Sequence, residues 1–139
     1  MRFPIAPSAN NLSLSVFPNP ASSSNLAIIL DGITEANTIV KNLNEKLERK
    51  VFENAKGYNT ISDYKSALVA LDNFIADYPG TPFKEEALFY KYDSAYQLGI
   101  NSVPSKMEER LNVAKVAYAN LIKFKADTKY KKQADEMLA

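Results

Sequence analysis

From Thr34 onward, apolar residues recur every three or four positions, the spacing of an amphipathic helix. Ala36, Ile39, Val40, Leu43, Leu47, Val51, Ala55, Tyr58 and Ile61 predict one long helix from about Thr34 to Ile61 with a single apolar stripe. Its other face is Lys41, Glu45, Lys46, Glu48, Arg49, Lys50 and Glu53. Pairs such as Glu45 with Arg49 and Glu53 with Lys56 support a solvated helix by about 0.2–0.5 kcal/mol each. Gly57 reads as a close-packing contact, at the cost of about 1 kcal/mol that a mid-helix glycine carries.

The stretch Ser62 to Pro82 predicts a second helix that folds back on the first. Asp63 and Tyr64 open it, Ala67 is the small residue at a close approach, Leu71, Phe74 and Ile75 form its stripe, and Pro79 stops it. Thr81 is expected to cap the next helix, with Pro82 at its first position and Glu85 and Glu86 in its first turn, where carboxylates favour the positive end of the helix dipole. That helix runs to Leu98, with Ala87, Leu88, Tyr92, Ala95 and Tyr96 available to pack, and Gly99 to Pro104 breaks it. Ser105 followed by Glu108 has capping-box spacing and starts a helix to about Ala126. Its stripe is Leu111, Ala114, Ala117, Tyr118, Leu121 and Ile122. A last helix begins near Thr128 and is still amphipathic at Ala139, so the chain looks cut there.

An offset of 47 residues superposes two parts of this pattern without a gap: Ala67 on Ala114, Ala70 on Ala117, Leu71 on Tyr118, Phe74 on Leu121, Ile75 on Ile122, Thr81 on Thr128, Phe83 on Tyr130 and Ala87 on Ala134. The pattern resembles the tetratricopeptide class of helical hairpin, whose unit of about 34 residues asks for small, Tyr, small and Pro positions; Ala55, Tyr58, Ala67 and Pro79 occupy them. The extra residues of the longer unit fall around Gly99 to Arg110. The expected fold is therefore all-α, a tetratricopeptide-like solenoid fragment over residues 34–139.

Residues 1–33 read differently, as an irregular or extended arm. They hold Pro4, Pro7, Pro18 and Pro20, the Ser22 to Ser24 run, and only Arg2 and Asp31 as charges. Leu12, Leu14 and Val16 alternate with serines as a short strand would, and Leu26 to Leu30 is a candidate strand before an Asp31-Gly32 turn. The segment SVFPNPASSSNLAIIL looks like the opening of the C-terminal sorting domain of secreted proteins in gliding bacteria. The alternative is a loop between repeats followed by a rebuilt helix, and it is favoured because nothing after residue 33 continues a sorting domain.

Composition narrows the function classes. A length of 139 residues and 46% hydrophobic content suit one domain with a real core, and a net charge of +1 gives no overall pull toward nucleic acid or membrane. With neither Cys nor His, the chain has no thiolate or imidazole for a metal site and no Ser-His or Cys-His pair, and its four glycines are scattered rather than gathered in a phosphate loop. Glu85-Glu86 and Glu108-Glu109 are adjacent at helix starts and point apart, so they read as caps rather than an acid/base pair. No enzyme and no cofactor is expected. The longest apolar run, Leu26 to Leu30, is far too short to span a bilayer, and Met1, Arg2, Phe3, Pro4 opens no signal peptide. Tyr58, Tyr64, Tyr92, Tyr96 and Tyr118 fall at packing positions and are expected in the core rather than on a base-stacking surface. One patch stands out: Lys123, Lys125, Lys129, Lys131 and Lys132, against only Asp127, a candidate surface for an acidic protein or for anionic head groups, the alternative being the ordinary solvated face of a terminal helix.

From Thr34 to Ala139, and most of all over EANTIVKNLNEKLERKVFENAKGYNTISDYKSALVALDNFIADYPGTPFKEEALF, the chain is similar to the C-terminal repeats of the BamD lipoproteins of the outer membrane assembly machinery, in their Bacteroidetes form. The long helix leading into Asp63-Tyr64 and the Tyr78-Pro79-Gly80-Thr81-Pro82 turn carry the likeness. That resemblance implies a non-catalytic scaffold at the periplasmic face of the outer membrane, which docks on the POTRA domains of BamA. Relatives begin with a lipid-carrying Cys and further repeats, which this chain lacks, so anchor and N-terminal substrate recognition do not carry over. Two rivals remain: a sorting or adhesion module in residues 1–33, and another periplasmic solenoid such as a Tol-Pal coordinator.

Overall fold

The computed structural model describes residues 23–139, which are all-helical. The helices are α1 (Ser23–Thr60), α2 (Tyr64–Asp77), α3 (Lys84–Ile100), α4 (Pro104–Phe124) and α5 (Lys131–Leu138). The chain divides into two units between Leu43 and Asn44. The Leu12 to Val16 strand and the Pro18 to Pro20 turn lie outside the described residues.

Among the described residues, the first unit is the N-terminal part of α1, and every side chain from Ser24 to Leu43 is exposed. Leu26 to Leu30 is therefore helix and not the candidate strand, which accords with the favoured alternative of a rebuilt helix, and the helix starts at Ser23 rather than Thr34. The physical reason is backbone satisfaction: a helix pairs its own N–H and C=O groups, whereas a lone strand leaves them to water. Thr34 and Thr38 fit the helix by donating their hydroxyls to the carbonyls of Leu30 and Thr34, each at 2.9 Å.

The second unit is a pair of helical hairpins followed by α5. One cluster of buried side chains joins Phe52 and Ala55 of α1 to Leu71 and Phe74 of α2 and Ala87 of α3. The other joins Leu88, Phe89, Tyr92 and Ala95 of α3 to Ala114, Ala117 and Leu121 of α4 and Ala134 of α5. α3 serves both, which is why it is apolar on more than one face and carries seven buried residues. Its polar residues bind it back to α1: the Asn59 amide donates to the Asp93 carboxylate at 2.7 Å and to the Ser94 hydroxyl at 2.9 Å, and Lys56 meets Glu86 at 3.3 Å.

Asp63 opens α2 as expected, whereas the two later turns differ from expectation in their capping. α1 ends in a Schellman arrangement, with the Asp63 N–H bonding the Tyr58 carbonyl at 2.9 Å and the Ser62 N–H bonding that of Asn59 at 3.0 Å. Ser62 takes φ 65° at the position that glycine usually fills. Asp63 then caps α2, its carboxylate accepting the Ser66 N–H at 3.2 Å. Thr81 does not cap α3 directly: its hydroxyl accepts the Phe83 N–H at 3.3 Å in a turn ahead of the helix, which leaves Pro82 outside and starts α3 at Lys84. The Ser105/Glu108 capping box is not formed, because α4 starts two residues earlier, with Val103 extended at the cap and Pro104 supplying a preset φ at the first position. The last helix likewise starts at Lys131 rather than near Thr128.

Gly57 and Gly99 both depart from their expected roles. Gly57 has open space where a Cβ would stand, so it is no close-packing contact. Gly99, read as a breaker, lies buried inside α3, where a Cβ would come within 2.7 Å of Leu111 Cδ2. The helix ends two residues later at Asn101, and Ser102 ties it off by donating to the Leu98 carbonyl while accepting from the Arg110 guanidinium at 2.5 Å.

Across the offset of 47 residues, the buried positions recur in the structure. Ala67 and Ala114 are 0% and 2% exposed, Ala87 and Ala134 both 0%, and Thr81 and Thr128 7% and 4%. The turn aromatics recur with them: Phe83 stacks on Phe52 at 5.4 Å between ring centroids and Tyr130 on Phe89 at 4.2 Å, with rings tilted by only 9° in both pairs.

Candidate functional site

The lysine-rich face is built where α4 gives way to α5. α4 ends on Lys125, whose N–H bonds the Leu121 carbonyl at 3.0 Å, and Lys123 lies in its last turn. Thr128 then organises the turn, its hydroxyl accepting the Tyr130 N–H at 3.3 Å and its carbonyl the Lys131 N–H at 3.0 Å. Lys131 and Lys132 open α5, so two positive charges stand at the positive end of a helix dipole that has no acid in its first turn.

Glu85 supplies the missing negative charge from another helix. Its Oε1 accepts the Thr128 hydroxyl at 2.6 Å and the Lys129 N–H at 3.3 Å, and its Oε2 meets Lys125 Nζ at 2.9 Å. The Thr128 hydrogen bond, and after it Lys125, hold the Glu85 carboxyl below its ordinary range. Glu85 thus does two things at once: it stands as the expected dipole partner in the first turn of its own helix and it fastens α3 to the turn that opens α5. Glu86 faces the other way, to Lys56. There the Glu86 hydrogen bond and the charge of Tyr90 and Glu86 outweigh burial and raise the Lys56 ammonium pKa.

The five lysines are therefore not one free patch. All are exposed, but Lys125 is committed to Glu85, and Lys129 lies over the Tyr130 ring with its ammonium 4.7 Å from the centroid. Lys123, Lys131 and Lys132 make no ion pair among the described residues. Beside them the structure adds two residues that the lysine count passed over. Phe124 is 48% exposed at the end of α4, and Lys84 reaches over its ring at 5.3 Å while donating to the Pro79 carbonyl at 3.3 Å. The signal for Phe124 was present in the repeat, because its counterpart 47 residues earlier is the acid Asp77. Phe124 is thus an exposed aromatic with an ammonium group held over its ring.

A second apolar surface lies on the first hairpin. Tyr58, expected in the core, is 41% exposed, with Ile61 at 72% and Val69 at 62%. Tyr58 turns outward because Phe52 and Ala55 mark the packed face of α1, and Tyr58 lies off that face. Together with Lys65, Ser66, Ala70 and Asn73 it lines an open depression of about 420 Å³. Tyr92, by contrast, is fully buried, its hydroxyl donating to the Ala134 carbonyl at 2.9 Å, and Tyr118 donates to Asp135 at 2.5 Å. In comparison with known proteins, no family model and no curated protein matches the chain.

Proposed function

We propose that the chain is a non-catalytic, protein-binding scaffold of the tetratricopeptide class, related to BamD and acting in outer membrane β-barrel assembly at the periplasmic face of the outer membrane by docking on the POTRA domains of BamA. The observation that carries the scaffold reading is the recurrence over 47 residues of buried alanines, of the threonine turn and of a turn aromatic that stacks on a ring of a preceding helix. Stacked hairpins of this kind present surfaces that hold a partner's helix or loop, and no bond is made or broken. Ala55 and Ala67, the small positions of the tetratricopeptide pattern, are 1% and 0% exposed, which supports that class. The docking surface of this reading is Lys123, Lys131 and Lys132 together with the exposed Phe124, with Lys125 and Lys129 contributing field rather than contact.

Binding to BamA POTRA domains from the same organism tests both levels. Charge reversal at Lys123, Lys131 and Lys132 slows association and flattens its salt dependence without changing the melting temperature, and Phe124→Ala speeds dissociation. Equal affinity of the triple variant and the parent at low and high salt removes the site. A parent chain that binds no POTRA domain removes the assembly role while leaving the scaffold class standing.

A further inference from the structure

Six of the exposed apolar residues of α1 fall in a seven-residue repeat. Leu26, Ile33 and Val40 stand seven apart, and so do Ile29, Ala36 and Leu43, three residues out of phase with the first set. A straight helix turns every 3.6 residues, so a face that holds to seven drifts by about 20° per repeat unless the helix supercoils around a partner. The large members are all uncovered: Leu26 59%, Ile29 54%, Ile33 51%, Val40 55% and Leu43 58% exposed. The helix also has little to sustain it alone. Between Gly32 and Val40 it carries Gly32, two threonines, Asn37 and three β-branched aliphatics, a composition of low helix propensity in a segment with no buried side chain.

The flanks decide what covers this face. From Leu26 to Leu43 the positions bordering the seam are Leu30, Gly32, Asn37 and Ile39, none of them charged, while Asp31, Glu35 and Lys41 fall on the outer positions. An identical face therefore meets no like charge when it packs against this one, and Gly32 and Ala36 let two helices come close. Leu30 and Ile39, 54% and 52% exposed, widen the seam. Covering these side chains hides about 550 Å² per copy, roughly 1,100 Å² in total, just under the range of about 1,200–2,000 Å² of stable interfaces and in keeping with a weak, concentration-dependent dimer. We propose that the Leu26–Leu43 face of α1 is a dimerisation surface, occupied by the same face of a second copy in a two-stranded coiled coil.

The test is the mass of the full chain by sedimentation equilibrium from about 1 to 100 μM, since a dimer is populated by mass action. Ile33→Asp with Val40→Asp places charges in the seam, and Ile28→Asp, on the outer face at 67% exposed, is the control. The expected result is a dimer for the parent and for Ile28→Asp, and a monomer for the double variant. That variant also loses the part of its helical circular dichroism that belongs to the start of α1, while the packed hairpins melt as in the parent. A parent that stays monomeric throughout overturns the proposal and hands the face to a different protein. A double variant that dimerises like the parent, or an Ile28→Asp chain that dissociates as readily, overturns it as well.

Discussion

Replacing Glu85 by Gln tests how α3 is fastened to the turn that opens α5. The carboxylate is only 19% exposed and accepts three hydrogen bonds, of which the 2.6 Å contact from the nearly buried Thr128 hydroxyl is the strongest. A hydrogen bond to a charged group contributes about 1.5–3 kcal/mol. The Lys125 pair adds about 0–1 kcal/mol, because that ammonium is half exposed and screened, and the 3.3 Å bond from Lys129 adds little. Gln keeps an acceptor but not the charge, so Glu85→Gln costs about 1–2 kcal/mol, which for a unit of this size lowers Tm by about 4–8 °C or more. Thr128→Val removes the donor, and the double variant loses less than the two singles together, with a coupling of about 1 kcal/mol or more. The pH dependence has a definite sign. Because the folded carboxyl is held low, its stabilisation is present above the unfolded value of about 4.3 and is lost as pH falls through the folded pKa. Glu85→Gln therefore flattens the acid limb of a plot of Tm against pH. Additive losses in thermal or urea melts, together with an unchanged acid limb, refute the reasoning.

The glycines give opposite expectations in the same thermal melt: Gly57→Ala gains about 0.5–1 kcal/mol in open space, whereas Gly99→Ala drives a Cβ toward Leu111 and loses about 1 kcal/mol net, so a Gly99 variant as stable as the Gly57 one disproves the packing. Ser62→Gly relieves a positive φ at the end of α1 and stabilises by about 0.5–1 kcal/mol, measurable as a shift in urea midpoint without a change in m. Burial, then the charges of Tyr96 and Tyr118, push the Tyr92 hydroxyl pKa up to about 12, so its contribution is intact below the unfolded value near 10 and is lost as pH rises toward 12. Tyr92→Phe costs about 1 kcal/mol at neutral pH and shows a shallower alkaline limb, and identical alkaline titrations would contradict the buried hydroxyl.

The helices of the second unit are legible because their apolar positions follow the period that burial requires; Ala67, Leu71, Phe74, Ala114, Ala117 and Leu121 are all buried. α1 misleads for a physical reason. On its predicted stripe Ala55 is buried and Val51 half-buried, but the stripe passes over Phe52, the large buried residue of this helix, and its members from Ala36 to Leu47 are exposed. One helix carries two apolar patterns, the seven-residue repeat of its start and the packed face of its end, and a single stripe averages them. Capping misleads in another way. Thr81 and Ser105 have cap chemistry, but the backbone geometry of the preceding turn decides which residue begins the helix, and Pro104 and the Thr81-to-Phe83 turn win there. Gly57 and Gly99 differ only in what stands opposite them across the hairpin, which no local sequence signal contains.

The same distance in sequence hides the true extent of the charged face. Five lysines within ten residues read as one patch, yet the group that divides it, Glu85, is 40 residues from Lys125 and 43 from Thr128. The internal repeat recovers part of what proximity conceals. Thr128 corresponds to Thr81 and Lys131 to Lys84, but at the position of Glu85 the repeat places Lys132, and at the position of Asp77 it places Phe124. The first substitution puts an ammonium where the preceding hairpin uses a carboxylate to hold a neighbouring turn. The second exposes an aromatic where the preceding hairpin shows an acid. Lys132 at that position is suited to an acidic group rather than to another Thr-Lys turn of the kind Glu85 holds. The departures from the repeat, and not the density of lysine, are therefore the reason to aim charge reversal at Lys132 and truncation at Phe124 while sparing Lys125, whose charge is already bound within the fold.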